Sequence, residues 1–197
     1  EHLRAATVLA PDEGRYLMGF GCALLEAKEY QQSADILEEA ARLLPEQAEV
    51  HYWLGQAKDA LGDGDAARSS LRRATKLRPD NPTYLRAVGR LVRRLASQQV
   101  SRQSDRPAEA VLRELRVEEA VQALEEAVAL EPGQADDHHE LGLLALLAGD
   151  HSTAFAQFDL AVSLAPEEAQ YHLSLGRLHR LLGHFDASER ALRQATI

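Results

Sequence analysis

Cysteine is nearly absent: Cys22 is the only one, so no disulfide forms within the chain. That suits a reducing cytoplasm, the default expectation for location. β-branched runs are almost missing and aromatics make up only 5% of the residues, which leaves little material for strands. No apolar stretch reaches the roughly 18 residues of a membrane helix. The most apolar run, Leu141 to Ala148, is short and broken by Gly142, so membrane insertion is not expected. No secretory leader is recognisable, although the chain opens on Glu1 without Met and an upstream targeting segment stays open. Positive charge is scarce as well. Lys and Arg total 22 against 31 Asp and Glu, for a net charge of −9, which disfavours a duplex nucleic-acid partner. No nucleophile motif and no phosphate-binding glycine loop is present, so neither catalysis nor a cofactor is expected.

What the chain has in quantity is Ala, Leu, Glu and Arg, all strong helix formers. It also has a period. Pro11, Pro45, Pro79, Pro132 and Pro166 are spaced by 34, 34, 53 and 34 residues. Gly21, Gly55, Gly89, Gly142 and Gly176 repeat those intervals. Ala6, Ala40, Ala74, Ala127, Ala161 and Ala195 keep the same register. Three residue types in one register define an internal repeat. The odd interval is one period plus 19 residues, an insertion placed near residues 98–116.

Each period reads as two helices. In residues 48–81, Val50, Leu54, Ala57 and Leu61 form one helical face. Gly62-Asp63-Gly64-Asp65 interrupts it, with Asp65 as the expected N-cap of the next helix. Ala67, Leu71, Ala74 and Leu77 then rebuild an apolar face, and Pro79 ends it. Residues 135–168 follow the same grammar, with Gly149-Asp150 as the break.

These landmarks resemble the tetratricopeptide repeat family. Its pattern has an aromatic or large residue at repeat position 4, Leu-Gly at 7 and 8, a large residue at 11, Gly near 15, small residues at 20 and 27, a large residue at 24 and Pro at 32. Leu54-Gly55, Gly62, Ala67, Leu71, Ala74 and Pro79 fit, as do Leu141-Gly142, Gly149, Ala154, Phe158, Ala161 and Pro166. Phe20-Gly21, Tyr30, Leu37, Ala40 and Pro45 fit less fully. His51, His138 and His172 depart from the pattern at position 4, and Ser33 and Ser188 at position 20. The resemblance implies an all-α fold, a right-handed superhelical solenoid of antiparallel helix pairs forming one domain. The repeats run 1–13 (partial), 14–47, 48–81, 82–134 with the insertion, 135–168 and 169–197 (partial). Both ends cut a repeat, which gives the expectation of a longer solenoid or of ends covered by a partner. The insertion is expected to lengthen both helices of its repeat into a hairpin.

The resemblance further implies a protein-interaction scaffold that holds a peptide or protein segment in a concave groove built from the first helices. The groove stripe at positions 2, 5, 6, 9, 12 and 13 nominates Met18, Cys22 and Leu25, then Tyr52, Trp53 and Gln56, then Arg86, Arg90, Arg93 and Arg94, then His139 and Leu143, then Arg177 and Arg180. The four arginines of the third repeat repel one another by a few tenths of a kcal/mol per pair. An acidic ligand or acidic residues of the chain itself would relieve this, and the two readings weigh equally. Trp53 is read as packing between repeats slightly ahead of anchoring a ligand. The set expected of a chaperone-tail clamp is absent, since its positions hold Met18, Cys22, Trp53, Thr83 and Ala87. Asp136-Asp137-His138-His139-Glu140 is rich in metal-ligand types, but neighbours on a helix diverge, so no metal site is expected. The alternatives are a self-assembly module or a non-catalytic arm of a larger enzyme. Nineteen arginines against three lysines is a composition associated with bacterial genomes.

Overall fold

The computed structural model describes residues 14–102, 107, 110, 112 and 115–196. Among these there are ten helices and no strand. They are α1 (Gly14–Glu26), α2 (Tyr30–Leu43), α3 (Ala48–Ala60), α4 (Gly64–Leu77), α5 (Pro82–Arg102), α6 (Val117–Leu130), α7 (Ala135–Leu147), α8 (His151–Leu164), α9 (Ala169–Leu181) and α10 (Phe185–Gln194). The chain forms two compact units, Glu1–Leu91 and Val92–Ile197, and α5 runs through the division. In the first unit α1 packs on α2 and α3 on α4, with α2 against α3. In the second, α7 packs on α8 and α9 on α10, with α6 against α7 and α8 against α9.

One contact recurs in four of the helix pairs. A Cβ placed on Gly21, Gly55, Gly142 or Gly176 would lie 2.5 to 2.9 Å from the side chain 16 residues on, namely Leu37, Leu71, Phe158 and Leu192. The first helix therefore lays bare backbone on the second, and the large residue of position 24 fills the site. Small buried residues at positions 20 and 27 complete the close approach: Ser33 and Ala40, Ala67 and Ala74, Ala154 and Ala161.

The residues outside the family pattern are satisfied by hydrogen bonds. Ser33 Oγ donates to the Gly21 carbonyl (2.7 Å) and Ser188 Oγ to the Gly176 carbonyl (2.8 Å), both spanning twelve residues. His51 Nε2 donates to the Pro45 carbonyl (2.9 Å) and His172 Nε2 to the Pro166 carbonyl (2.7 Å). A histidine at position 4 thus binds the end of the preceding repeat as well as filling space. His138, at the same position, turns instead to Gln157 Oε1, 2.8 Å from its Nδ1.

The turns between paired helices share one geometry. Gly62, Gly149 and Gly183 have φ of 82°, 78° and 79°, and the residue after each donates its amide back to a carbonyl five residues earlier. This is the left-handed helix stop that glycine enters without steric cost. In the first repeat the position is held by Lys28, at φ 64°. A β-carbon there is strained by about 1 kcal/mol. Lys28→Gly is therefore expected to raise stability by about 0.5–1 kcal/mol, read as a higher urea midpoint with an unchanged slope. An unchanged or lower midpoint would count against the strain.

Two expectations are corrected. The N-cap of α4 is Asp63, whose carboxylate accepts the Ala66 amide at 3.1 Å, and not Asp65. The left-handed Gly62 turns the chain one residue earlier than the spacing suggests, so Gly64 already opens the helix. Asp150 does the same work for α8. The first helix of the inserted repeat is lengthened, α5 having 21 residues against 13 in α1, α3, α7 and α9, while the second is not extended continuously at its start. Arg116 is left-handed (φ 53°, ψ 52°) immediately before Val117, so α6 starts afresh with the same 14 residues as α2, α4 and α8. Val111 lies outside the described residues.

Candidate functional site

The third-repeat arginines stand on a helix with a well-made start. Asn81 Oδ1 accepts the amides of Thr83 (3.0 Å) and Tyr84 (3.3 Å), and Pro82 occupies the first turn, where its missing N–H costs nothing. Tyr84, Leu85, Val88, Leu91, Val92 and Ala96 form the buried side of α5. Arg86, Arg93 and Arg94 are half-buried and Arg90 is exposed.

In the first unit the nominated first-helix residues divide into two groups. Met18, Leu25 and Trp53 are partly buried against the cluster of Ala34, Leu37, Leu54 and Ala57. All three therefore have an internal packing role, Trp53 included. Cys22 is half-buried, and desolvation with the nearby Glu49 and Glu26 carboxylates pushes its thiol up to about 12. It is a protonated thiol at neutral pH and a poor nucleophile. Gln56 is half-buried beside them. The second group is aromatic. Tyr52 meets Trp53 edge-on at 5.0 Å and lies 5.0 Å from Tyr84 at 30°. Burial raises the Tyr52 phenol, and the Arg90 charge works against that rise, so this guanidinium is close enough to act on the aromatic group. Tyr84 is thus a buried ring, 6% exposed, and the half-buried Tyr52 packs against it with the exposed Arg90 close by.

The second unit repeats this plan. His139 lies 5.0 Å from Tyr171, as Tyr52 does from Tyr84, and both members are displaced by 87 residues, two periods and the insertion. Polar bonds link successive first helices. Arg93 pairs with Glu140, His139 Nε2 lies 2.8 Å from Ser174 Oγ, and Tyr171 donates its hydroxyl to Asp136 at 2.6 Å. Asp137 is fully buried. The ligand-rich run therefore points its side chains to separate partners: Asp136 to Tyr171, His138 to Gln157, His139 to Ser174 and Glu140 to Arg93. Leu143 is partly buried against the Phe158 cluster. Arg177 and Arg180 are exposed on α9.

For Arg93 an acidic residue of the chain itself supplies the countercharge. For His139, burial and the Arg93 charge lower the imidazole pKa below its ordinary 6.5, against an opposing pull from Asp136. The sign of the consequence follows. A histidine whose folded pKa is depressed stabilises the fold fully above its unfolded pKa, and that contribution fades as pH falls below it. Acidification from about pH 7 to about pH 5 is expected to lower the melting temperature, with a smaller drop in His139→Gln. A ring titration of His139 at or above the free-histidine range would contradict this environment.

Sequence reasoning missed Tyr84 and Tyr171, because both fall at position 3, outside the assumed groove stripe. The signal was present, since the same aromatic type recurs at one register position in two repeats.

Paired helices repeated along the chain, with polar and aromatic side chains ranked on the first helices, define a helical-repeat protein. Two family models described as tetratricopeptide repeat match residues 24–91 and 108–169. The chain belongs to the tetratricopeptide repeat family, whose members are generally non-catalytic scaffolds for protein–protein interaction. No curated protein matches the sequence. Among solved structures, MamA residues 41 to the end from Desulfovibrio magneticus RS-1 superposes with a TM-score of 0.77 at 21% identity, covering 93% of each chain. PilF of Pseudomonas aeruginosa gives 0.70 at 19% identity, over 93% of this chain and 75% of that one. YrrB, described as a TPR protein with an unusual peptide-binding site, gives 0.72 at 16% identity, over 99% and 91%. At these identities the likeness establishes the fold. No helix among the described residues is long and apolar enough to cross a membrane.

Proposed function

We propose that this chain is a non-catalytic interaction module that holds an extended or helical partner segment of acidic character against its first helices. The observation that carries the reading is the half-buried Tyr52, backed by the buried Tyr84 ring and beside the exposed Arg90, with Arg86 one helical turn earlier on α5. Aromatic and arginine side chains are the residue types that dominate interface energetics, and a guanidinium offers two parallel donors to a carboxylate. The second unit carries exposed arginines of its own on α9, Arg177 and Arg180. Arg93 is placed in a supporting role, because Glu140 already holds it. The printed description of YrrB makes peptide binding a precedent within this fold.

The test is a peptide array probed with the chain and with an Arg86→Glu/Arg90→Glu variant, which leaves the Arg93–Glu140 pair intact. Acidic peptides are expected to bind the original and to lose at least about tenfold in affinity with the variant, whose cooperative unfolding shows that the fold is kept. Retention of the same peptides by the variant would remove this face as the site. A concentration-dependent mass with no peptide retained by either protein would favour self-assembly instead.

A further inference from the structure

The second unit contains a half-open pocket of about 490 Å³ on a different side of α7 from its groove residues. Leu141, Leu144 and Ala145 of α7 and its C-cap Ala148 form its floor, Val117 and Val121 of α6 one wall, and Thr153 and Gln157 of α8 the other, with Leu112 at the edge. These floor residues occupy repeat positions 7, 10, 11 and 14, whereas His139 and Leu143 occupy 5 and 9. The volume falls in the ~300–1,000 Å³ range of built ligand sites.

The pocket has a sequence cause. Position 11 of a tetratricopeptide repeat is a large residue. Here it is Leu24, Lys58, Val92 and His179 in the other repeats but Ala145 in this one. Position 14 holds Leu61, Leu95 and Leu182 in three repeats, and alanine both in the first (Ala27) and here (Ala148). Two truncated side chains leave space between second helices. The mouth is acidic: Glu118 and Glu125 on α6 are exposed, have no cationic partner among the described residues, and face Asp150 at the start of α8. Thr153 and Ser152 hold the Asp150 carboxyl down to about 2, so it stays charged.

We propose that this pocket is a second docking site, for a partner segment carrying one apolar anchor side chain flanked by Lys or Arg. The floor takes the anchor, and the Glu118, Glu125 and Asp150 rim takes the cations. The charge preference is opposite to that of the first-helix face, so the two sites select different partners.

The experiment is a phage-displayed random-peptide selection on the full chain, followed by titration of the enriched basic peptides against Ala145→Leu and Glu118→Lys/Glu125→Lys. Leu at position 145 restores the family's large residue, so it is expected to fold with an equal or higher melting temperature. It should weaken basic peptides by at least about tenfold. The charge reversal should weaken them further at low salt than at high salt. Three results would overturn the proposal: no enrichment of basic peptides with an apolar anchor, equal affinity of such peptides for Ala145→Leu, or loss of stability in Ala145→Leu. The last would mean that the space is already filled from within the chain.

Discussion

Phe158→Ala is expected to destabilise the second unit by about 3–5 kcal/mol, the largest effect of any single truncation in the chain. Phe158 is 0% exposed and heads the fully buried side chains by size. It packs with Ala154, Leu175 and Leu178, meets the His139 ring at 5.6 Å and covers the bare backbone of Gly142. It therefore joins α7, α8 and α9 at one point. The neighbours are held by their own helices and collapse only partly into the vacated space, so a cavity term adds to the lost transfer energy. Each repeat leans mainly on its neighbours, so the loss should propagate into α9 and α10. Thermal and urea unfolding followed by circular dichroism measure it, and a change below about 1 kcal/mol would mean the core is not organised around this ring.

Gly142→Val is expected to be nearly as damaging, from the opposite side of the same contact. A Cβ at Gly142 would lie 2.5 Å from Cε1 and 2.6 Å from Cδ1 of Phe158, a rigid ring with no exposed surface toward which to move. Overpacking of this kind costs about 1–3 kcal/mol or more. Gly176 provides the contrast. Its nearest neighbours are Cδ2 and Cγ of Leu192 at 2.9 Å, on a half-buried side chain that can swing aside. Gly176→Ala should therefore come close to neutral, because the gain in helix propensity of roughly 1 kcal/mol offsets the strain. A double-mutant cycle sharpens the point. Gly142→Ala with Phe158→Leu should cost less than the sum of the two single changes, since the pair then resembles Gly176→Ala facing Leu192. Strict additivity would show that the two sites do not share one contact.

Much of this architecture is legible in the sequence, because it is written in residues whose roles are local. Glycine at position 8 and a large residue at position 24 recur at a fixed spacing, and proline closes each period. What stays hidden is the pairing of side chains that are distant in sequence. Nothing near Arg93 identifies Glu140, 47 residues away, as its partner. That choice depends on how one first helix faces the next. Lys28 is hidden for a different reason. Its left-handed conformation is imposed by the turn it occupies, against its own preference, so no propensity reveals it. Asp63 and Asp65 are equivalent candidates by composition, and the φ of Gly62 decides between them. The histidines of position 4 look like weak substitutes for aromatics until the Pro45 and Pro166 carbonyls are seen to receive them.

The central claim is that a partner lies along the first helices. Amide chemical-shift mapping tests it most directly, with an acidic peptide from the array titrated into isotopically labelled protein. The account predicts shifts concentrated on α3 and α5, at Tyr52, Gln56, Arg86 and Arg90, with α4 and α8 left undisturbed. Shifts confined to the second helices, or their absence at saturating peptide, would contradict it.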